Sequence, residues 1–194
     1  MNYYLEITLL PDTEISPYFL WQKVYQKIHL GLVNVQDSHG KVPIGVSFPA
    51  YDAKKHQLGH KLRLFAESEQ QLEKFNMRHC LNDLSDYTHL TRVRAVPTGI
   101  ITSYASYYRI QPKSSNERLA RRKAKHEKIS LEQAISLQET YPEQRTDAPY
   151  INLKSQSNGE RFHLFIGYIE QQKANNSEGF SSYGLSKQST VPIF

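Results

Sequence analysis

The chain has 194 residues, 39% hydrophobic and 22% charged, with nine glycines and nine prolines, a composition that excludes disorder and collagen-like structure. No apolar run approaches the roughly 18 residues of a membrane span, and the single cysteine, Cys80, excludes an internal disulfide or a cysteine-built metal cage. The net charge of +5 is concentrated, because residues 109–128 hold eight basic side chains against two acidic ones, whereas the other 174 residues hold sixteen against seventeen. A cationic segment on a near-neutral body points to a polyanion, most often nucleic acid. The length suits one generous domain or two small ones packed together. The first residues, Met1 to Glu6, lack the basic region and apolar stretch of a signal peptide, so the expected location is the cytoplasm.

Tyr3, Leu5, Ile7 and Leu9 alternate with Glu6 and Thr8, the period of a half-buried strand ended by Pro11-Asp12. Ser16-Pro17 then supplies an N-cap followed by proline at the first helical position. Leu20, Val24 and Ile28 continue this helix at four-residue spacing, with Trp21 and Tyr25 on the adjoining stripe. Gly31 reads as its C-cap, which places His29 in the last turn. Strands are expected at Val42–Phe48 and Lys61–Ala66, a second helix from Ser68 with Leu72 and Phe75 buried, and a strand at Thr88–Val96. The order strand, helix, strand, strand, helix, strand is that of a ferredoxin-like βαββαβ domain over residues 1–97.

Residues 98–194 are expected to form a second α+β domain, with the boundary near Pro97-Thr98-Gly99. Ile100–Ile110 is tyrosine-rich and reads as strand or extended loop. Ser114 and Glu117 form a capping box that opens a helix to about Glu127, and Ser130 with Gln133 opens a shorter one. Tyr150–Leu153, Arg161–Tyr168 and a tail from Phe180 read as strands, with Asn158-Gly159 as the hairpin turn between the first two.

A solvated face is the plainer reading of a charge run. In this one the cations outnumber the acids four to one, with few carboxylates at i+4 to neutralise them. Arg118, Arg121, Arg122 and Lys125 recur at three- and four-residue spacing and share one helical face, the arrangement of a phosphate-binding element. Just upstream, Arg109-Ile110-Gln111 puts Arg109 and Gln111 on one face of a strand, where Arg pairs bidentately with guanine and Gln with adenine. None of the eight histidines has metal-ligand spacing with nearby acids; His56 and His60 are four apart, but Gly59 opposes a shared helical face. No metal and no cofactor are expected. A phosphate-cradling glycine loop, a paired-carboxylate signature and a Gly-x-Ser-x-Gly elbow are all missing from the sequence. Read from residues alone, the chain is a basic α+β protein that binds RNA or DNA.

Specific short stretches carry a further resemblance. In order they are Tyr4-Leu5-Glu6-Ile7, His29, Ile44-Gly45-Val46-Ser47-Phe48-Pro49, Arg109-Ile110-Gln111 and Asn116-Glu117-Arg118-Leu119-Ala120-Arg121-Arg122. Then come Ser155-Gln156-Ser157, Phe162-His163-Leu164-Phe165-Ile166 and Ser182-Tyr183-Gly184-Leu185-Ser186. Together they resemble the type I-F CRISPR repeat-processing endoribonucleases from end to end.

That resemblance implies a ferredoxin-like N-terminal domain and a C-terminal domain that projects an arginine-rich helix into the major groove of an RNA hairpin. It implies metal-independent cleavage at the 3′ base of the CRISPR repeat hairpin by 2′-hydroxyl attack, leaving a 2′,3′-cyclic phosphate. The product stays bound, and the enzyme joins the other subunits of the surveillance complex, with no membrane involved. By the same resemblance His29 is the general base, Ser155 positions the attacking 2′-hydroxyl, Ser157 is its active-site neighbour and Tyr183 orients the site. Phe162 stacks beneath the terminal base pair, and Arg109 and Gln111 read the foot of the stem. Lys113, Arg118, Arg121, Arg122 and Lys125 contact the RNA. The helix departs from the family's denser arginine run at Ala120, Lys123, Ala124, Lys125 and His126, and lysine holds phosphate as a point charge without the bidentate fork. The competing reading is a non-catalytic hairpin-RNA-binding subunit that caps a ribonucleoprotein complex.

Overall fold

Alternating apolar residues make Tyr3–Leu9 strand β1, with Leu5, Ile7 and Leu9 turned into the core. The computed structural model describes residues 1–112, 116–139 and 146–194; the side chains of 116–118 and 138–139 lie outside that description. Helix α1 (Pro17–Asn34) starts where the local signals place it, with the Ser16 side chain accepting from the Phe19 N–H and proline in the first turn. Its buried stripe is Leu20, Trp21, Val24, Tyr25, Ile28 and Leu32. The helix does not stop at Gly31. It runs to Asn34, so His29 stands more than a turn before its end. Gly31 is there for close packing instead, since a Cβ at that position would come within 2.8 Å of the buried Phe75 ring.

Strand β2 (Gly45–Ser47) is shorter than expected, because Pro43 offers no N–H to a ladder. β3 (Lys61–Ala66) matches its expected bounds. Helix α2 (Glu69–Phe75) opens with the Ser68–Gln71 capping box and buries Leu72 and Phe75. A short helix α3 (Met77–Cys80) follows. The strand expected at Thr88–Val96 is broken into β4 (Thr88–Leu90) and β5 (Arg94–Ala95), which pair with the two halves of β1. The register slips by one residue between Leu90 opposite Ile7 and Arg94 opposite Tyr4, which is a bulge. There the Thr91 hydroxyl accepts the Glu6 N–H at 2.9 Å and its own N–H donates to the Glu6 carbonyl at 2.9 Å. The sheet order is β2-β3-β1-β4, with β5 also on β1, and every pairing is antiparallel.

The tyrosine-rich segment is a true strand, β6 (Ser103–Ile110). Helices α4 (Asn116–Glu127) and α5 (Leu131–Glu139) follow, and Ser130 with Gln133 forms the expected box, each side chain accepting the other's backbone N–H. Ser114 of the first expected box lies outside the described residues. β7 (Tyr150–Lys154) and β8 (Arg161–Gln171) make the expected hairpin, with Gly159 at φ +71° in its turn. The tail is not one strand from Phe180. Phe180 only bridges Val42, glycines 179 and 184 turn the chain at φ +65° and +69°, and β9 (Val191–Ile193) closes the second sheet, ordered β7-β8-β6-β9.

By its contacts the chain divides into Met1–Ile110 with Ala148–Phe194, and Gln111–Asp147. The first unit holds both sheets over one core, in which Ile7, Leu62 and Leu64 of one join Tyr107, Ile151, Leu164 and Ile166 of the other. The Tyr107 hydroxyl donates to the Phe48 carbonyl at 3.0 Å, and the Arg63 guanidinium to the Phe194 carbonyl at 2.7 Å, which ties the sheets across that core. The second unit holds the helix pair α4–α5, with Ala120 and Ala134 buried. Among the described residues no helix is long and apolar enough to cross a membrane.

Candidate active site

One face of α1 gathers the site. His29 Nδ1 lies 2.8 Å from the Ser182 carbonyl oxygen. A carbonyl only accepts, so Nδ1 carries the proton and the neutral ring keeps its lone pair at Nε2. One turn earlier the Tyr25 hydroxyl donates to the next carbonyl, that of Tyr183, at 2.8 Å. Two consecutive tail carbonyls are thus held by one helical face at i and i+4, and this fixes the Tyr183 ring. It stacks on the imidazole with centroids 4.2 Å apart and planes 9° from parallel. Tyr25 is fully buried, and burial pushes its phenol far up, so it stays a neutral donor.

Arg109 on β6 extends the cluster. Its guanidinium stands 5.3 Å from the Phe162 ring centre and 5.4 Å from that of Tyr183. Phe162 meets Tyr183 edge-on at 6.4 Å. Burial holds the His29 imidazole below its ordinary value of 6.5; the Ser182 hydrogen bond opposes this, and the Arg109 charge adds to it. A half-buried histidine that is neutral at pH 7, with an acceptor nitrogen and a fixed ring plane, is equipped to take a proton.

The serines come from the β7–β8 hairpin. Ser155 and Ser157 hydroxyls are 3.0 Å apart, and the loop is closed by Ser155 N–H to Glu160 carbonyl at 2.8 Å and Gly159 N–H to Ser155 carbonyl at 3.0 Å. The hairpin is fastened to α1 by the Lys154 N–H, which donates to Gln26 Oε1 at 3.0 Å. Gln26 and His29 are three residues apart and share a helical face, so one helix positions both the histidine and the strand end that leads into Ser155.

Glycine is required just beyond Tyr183. Gly184 has φ +69°, donates to the Ser181 carbonyl at 2.7 Å and accepts from the Val46 N–H at 2.9 Å. An added Cβ would run into the Val46 side chain. Gly184→Ala therefore combines left-handed strain with overpacking, an expected loss of about 2 kcal/mol or more. A lowered urea midpoint at unchanged slope will report it.

The family model described as CRISPR-associated protein (Cas_Csy4) matches residues 4–194 of this chain. The chain belongs to the Cas_Csy4 family. Two relatives, each named CRISPR-associated endonuclease Cas6/Csy4, align over all 194 residues and over their own full lengths. The one from Escherichia coli (strain UTI89 / UPEC) is 38% identical, and the one from Pseudomonas aeruginosa (strain UCBPP-PA14) 36%. A solved structure titled "An RAMP protein binding different RNA substrates" aligns over both whole chains with a TM-score of 0.37 at 11% identity, too distant to bear on fold or function.

In this Cas_Csy4 member the structure brings His29, Tyr183, Arg109 and Phe162 into one contact cluster and pairs Ser155 with Ser157. Gln111 is exposed and follows the last residue of β6, so strand alternation does not carry the face of Arg109 on to it. Arg121, Arg122 and Lys125 are exposed on α4, within the second unit. Lys113 and the Arg118 side chain lie outside the described residues. Sequence reading missed Tyr25 and Gln26. Their signal was helical spacing from His29, at four and three residues.

Proposed function

We propose that this chain binds the hairpin of a CRISPR repeat and cleaves the RNA at the 3′ base of that hairpin without a metal ion. The observation that carries the reading is the tautomer at His29, whose Nδ1–H is committed to Ser182 and whose Nε2 is left as an acceptor. His29 Nε2 takes the proton of a 2′-hydroxyl that Ser155 positions, with Ser157 as the partner of Ser155. The 2′-oxygen bonds to the adjacent phosphorus, the bond from phosphorus to the 5′-oxygen breaks, and that oxygen takes up a proton. A 2′,3′-cyclic phosphate and a 5′-hydroxyl result. The RNA supplies its own nucleophile, so no metal-bound water is called for.

Tyr183 orients the imidazole, and Phe162 offers a ring for the last base pair of the stem. Arg109 and Gln111 read the bases there, while Lys113 and the α4 cations Arg118, Arg121, Arg122 and Lys125 hold phosphates. The order β2-β3-β1-β4 with two interleaved crossovers supports a ferredoxin-like N-terminal part, residues 1–97, that carries the base, with residues 98–194 as the RNA-binding part. The grip is on the stem, which the cut leaves whole, so the enzyme stays on its product in the cytoplasm as a subunit of the surveillance complex.

A repeat hairpin with a single 2′-deoxy substitution at the cleavage nucleotide is the direct test. It should bind like the all-ribose RNA and remain uncut, while the all-ribose RNA is cut in excess EDTA. If the all-ribose hairpin is bound and never cut, the chain is a capping subunit instead.

The imidazole sets the pH profile. Only the neutral ring accepts a proton, and its titration in the free enzyme lies below 6.5. The single-turnover rate at subsaturating protein should climb as pH rises through that inflection and then level off. Arg109→Gln removes a neighbouring positive charge and should move the inflection upward.

A further inference from the structure

The two helices of Gln111–Asp147 have little to hold them together. α4 has 12 residues and α5 has 9, and isolated helices shorter than about 12–15 residues are marginal in water. Among the described residues of this unit, only Ala120 and Ala134 are fully buried. Leu119 and Ile135 are half-buried, and Leu131 and Leu137 stand 44% and 48% exposed. Two alanine methyl groups remove far less apolar surface from water than the leucines and isoleucines between the sheets. The unit is also shorter than the roughly 40 residues below which a chain usually needs a disulfide, a metal or a partner to hold a fold.

Two further features work against the pair. Arg118, Arg121, Arg122 and Lys125 stand three or four apart along α4, spacings at which like charges repel. The chain then leaves α4 through Lys128 at φ +54°, the left-handed region that helix ends commonly give to glycine and that a Cβ makes costly. Local support comes from the Ser130–Gln133 box at the start of α5. α5 carries Glu132 and Glu139 and no lysine or arginine, so a polyanion has nothing to grip on it.

Like charges crowded on one helical face are relieved when phosphates sit among them, because each phosphate attracts the cations around it. We propose that the α4–α5 pair opens locally in the free protein and is closed by the phosphates of the hairpin stem, so that binding the RNA folds this unit. The inference rests on the functional reading above, in which the α4 cations hold those phosphates. The sheets stay formed throughout, since their core is built from Met1–Ile110 and Ala148–Phe194. Ordering on RNA is a general property of arginine-rich segments, and part of the interaction energy is then used to order the chain. α5 follows α4 because the two helices pack on each other, Ala134 becoming buried only when both are formed.

Hydrogen exchange of the full chain tests this, free and with a saturating repeat hairpin that carries a 2′-deoxy cleavage nucleotide. In the free protein, amides inside α4 and α5 should be at least about 10³-fold less protected than those of β1 and β3, the gap between local opening and global unfolding. The hairpin should slow exchange in both helices by about 30-fold or more, the scale of folding coupled to binding, and leave β1 and β3 nearly unchanged. α5 discriminates, because RNA that merely shields the surface of α4 would leave α5 exchanging as before. Lys128→Gly beside Lys128→Gln removes the left-handed strain at equal charge, and should raise the free-state protection of both helices about fivefold or more over the glutamine variant. Three results overturn the proposal: free helices protected like β1 and β3, α5 unchanged at saturation, or equal protection in the two variants. A hairpin that the protein does not bind overturns the functional reading, and the coupling with it.

Discussion

His29→Ala should remove cleavage and leave hairpin affinity nearly intact. The ring is expected to act on a proton and not on the stem, so the loss falls on the chemical step, where a positioned base contributes typically about 10²–10⁴ in rate. The substitution also deletes the bond to the Ser182 carbonyl and the stack on Tyr183, either of which could disturb the tail turn. His29→Asn separates the two effects. It keeps an N–H for that carbonyl and offers no titratable nitrogen, so it should be as inactive as alanine while unfolding closer to the unmodified protein. Single-turnover rates at saturating protein, beside filter binding, make the measurement. A variant that loses binding and still cuts at saturation would reverse the assignment.

Binding to the repeat hairpin should be steeply salt-dependent. If the cations of α4 and the segment before it make six or more phosphate contacts, affinity falls by about 10³–10⁵ between about 50 and 200 mM salt, on the duplex-DNA scale. Arg122→Ala should weaken every hairpin alike and flatten the slope of log K against log salt by roughly one. Arg109→Ala should behave differently. Its guanidinium stands against both the Phe162 and Tyr183 rings, so its loss should relax the base preference at the stem foot more than it flattens the slope. A shallow slope for the unmodified protein would return α4 to an ordinary solvated face.

Much of the scaffold was legible because its determinants are local. A cap involves residues three apart, so Ser16, Ser68 with Gln71, and Ser130 with Gln133 mark helix starts whatever surrounds them. Strand alternation in β1 and the turn at Asn158-Gly159 are equally short-ranged. The errors fell where a distant partner decides. Gly31 has the look of a helix end and is instead the point where the Phe75 ring crosses α1. The strand from Thr88 breaks because Thr91 answers Glu6 with both its hydroxyl and its N–H, a match 85 residues away in the chain.

The same division runs through the site. By itself the sequence determined a concentrated positive charge, the helix that carries it and a set of family motifs in order, since composition and short spacing survive in one dimension. It did not single out His29 from eight histidines on physical grounds. That distinction depends on Ser182, 153 residues away, whose carbonyl commits one ring nitrogen, and on Tyr183, whose own carbonyl is held by Tyr25 across 158 residues. Such contacts exist only after the tail has been folded back between β2 and β6 by Phe180, Gly184 and Ser186, which bond to Val42, Val46 and Tyr107. Closing so long a loop costs entropy that only the packed core returns, and for that reason the tertiary structure alone decided which imidazole is half-buried, oriented and left with a free lone pair.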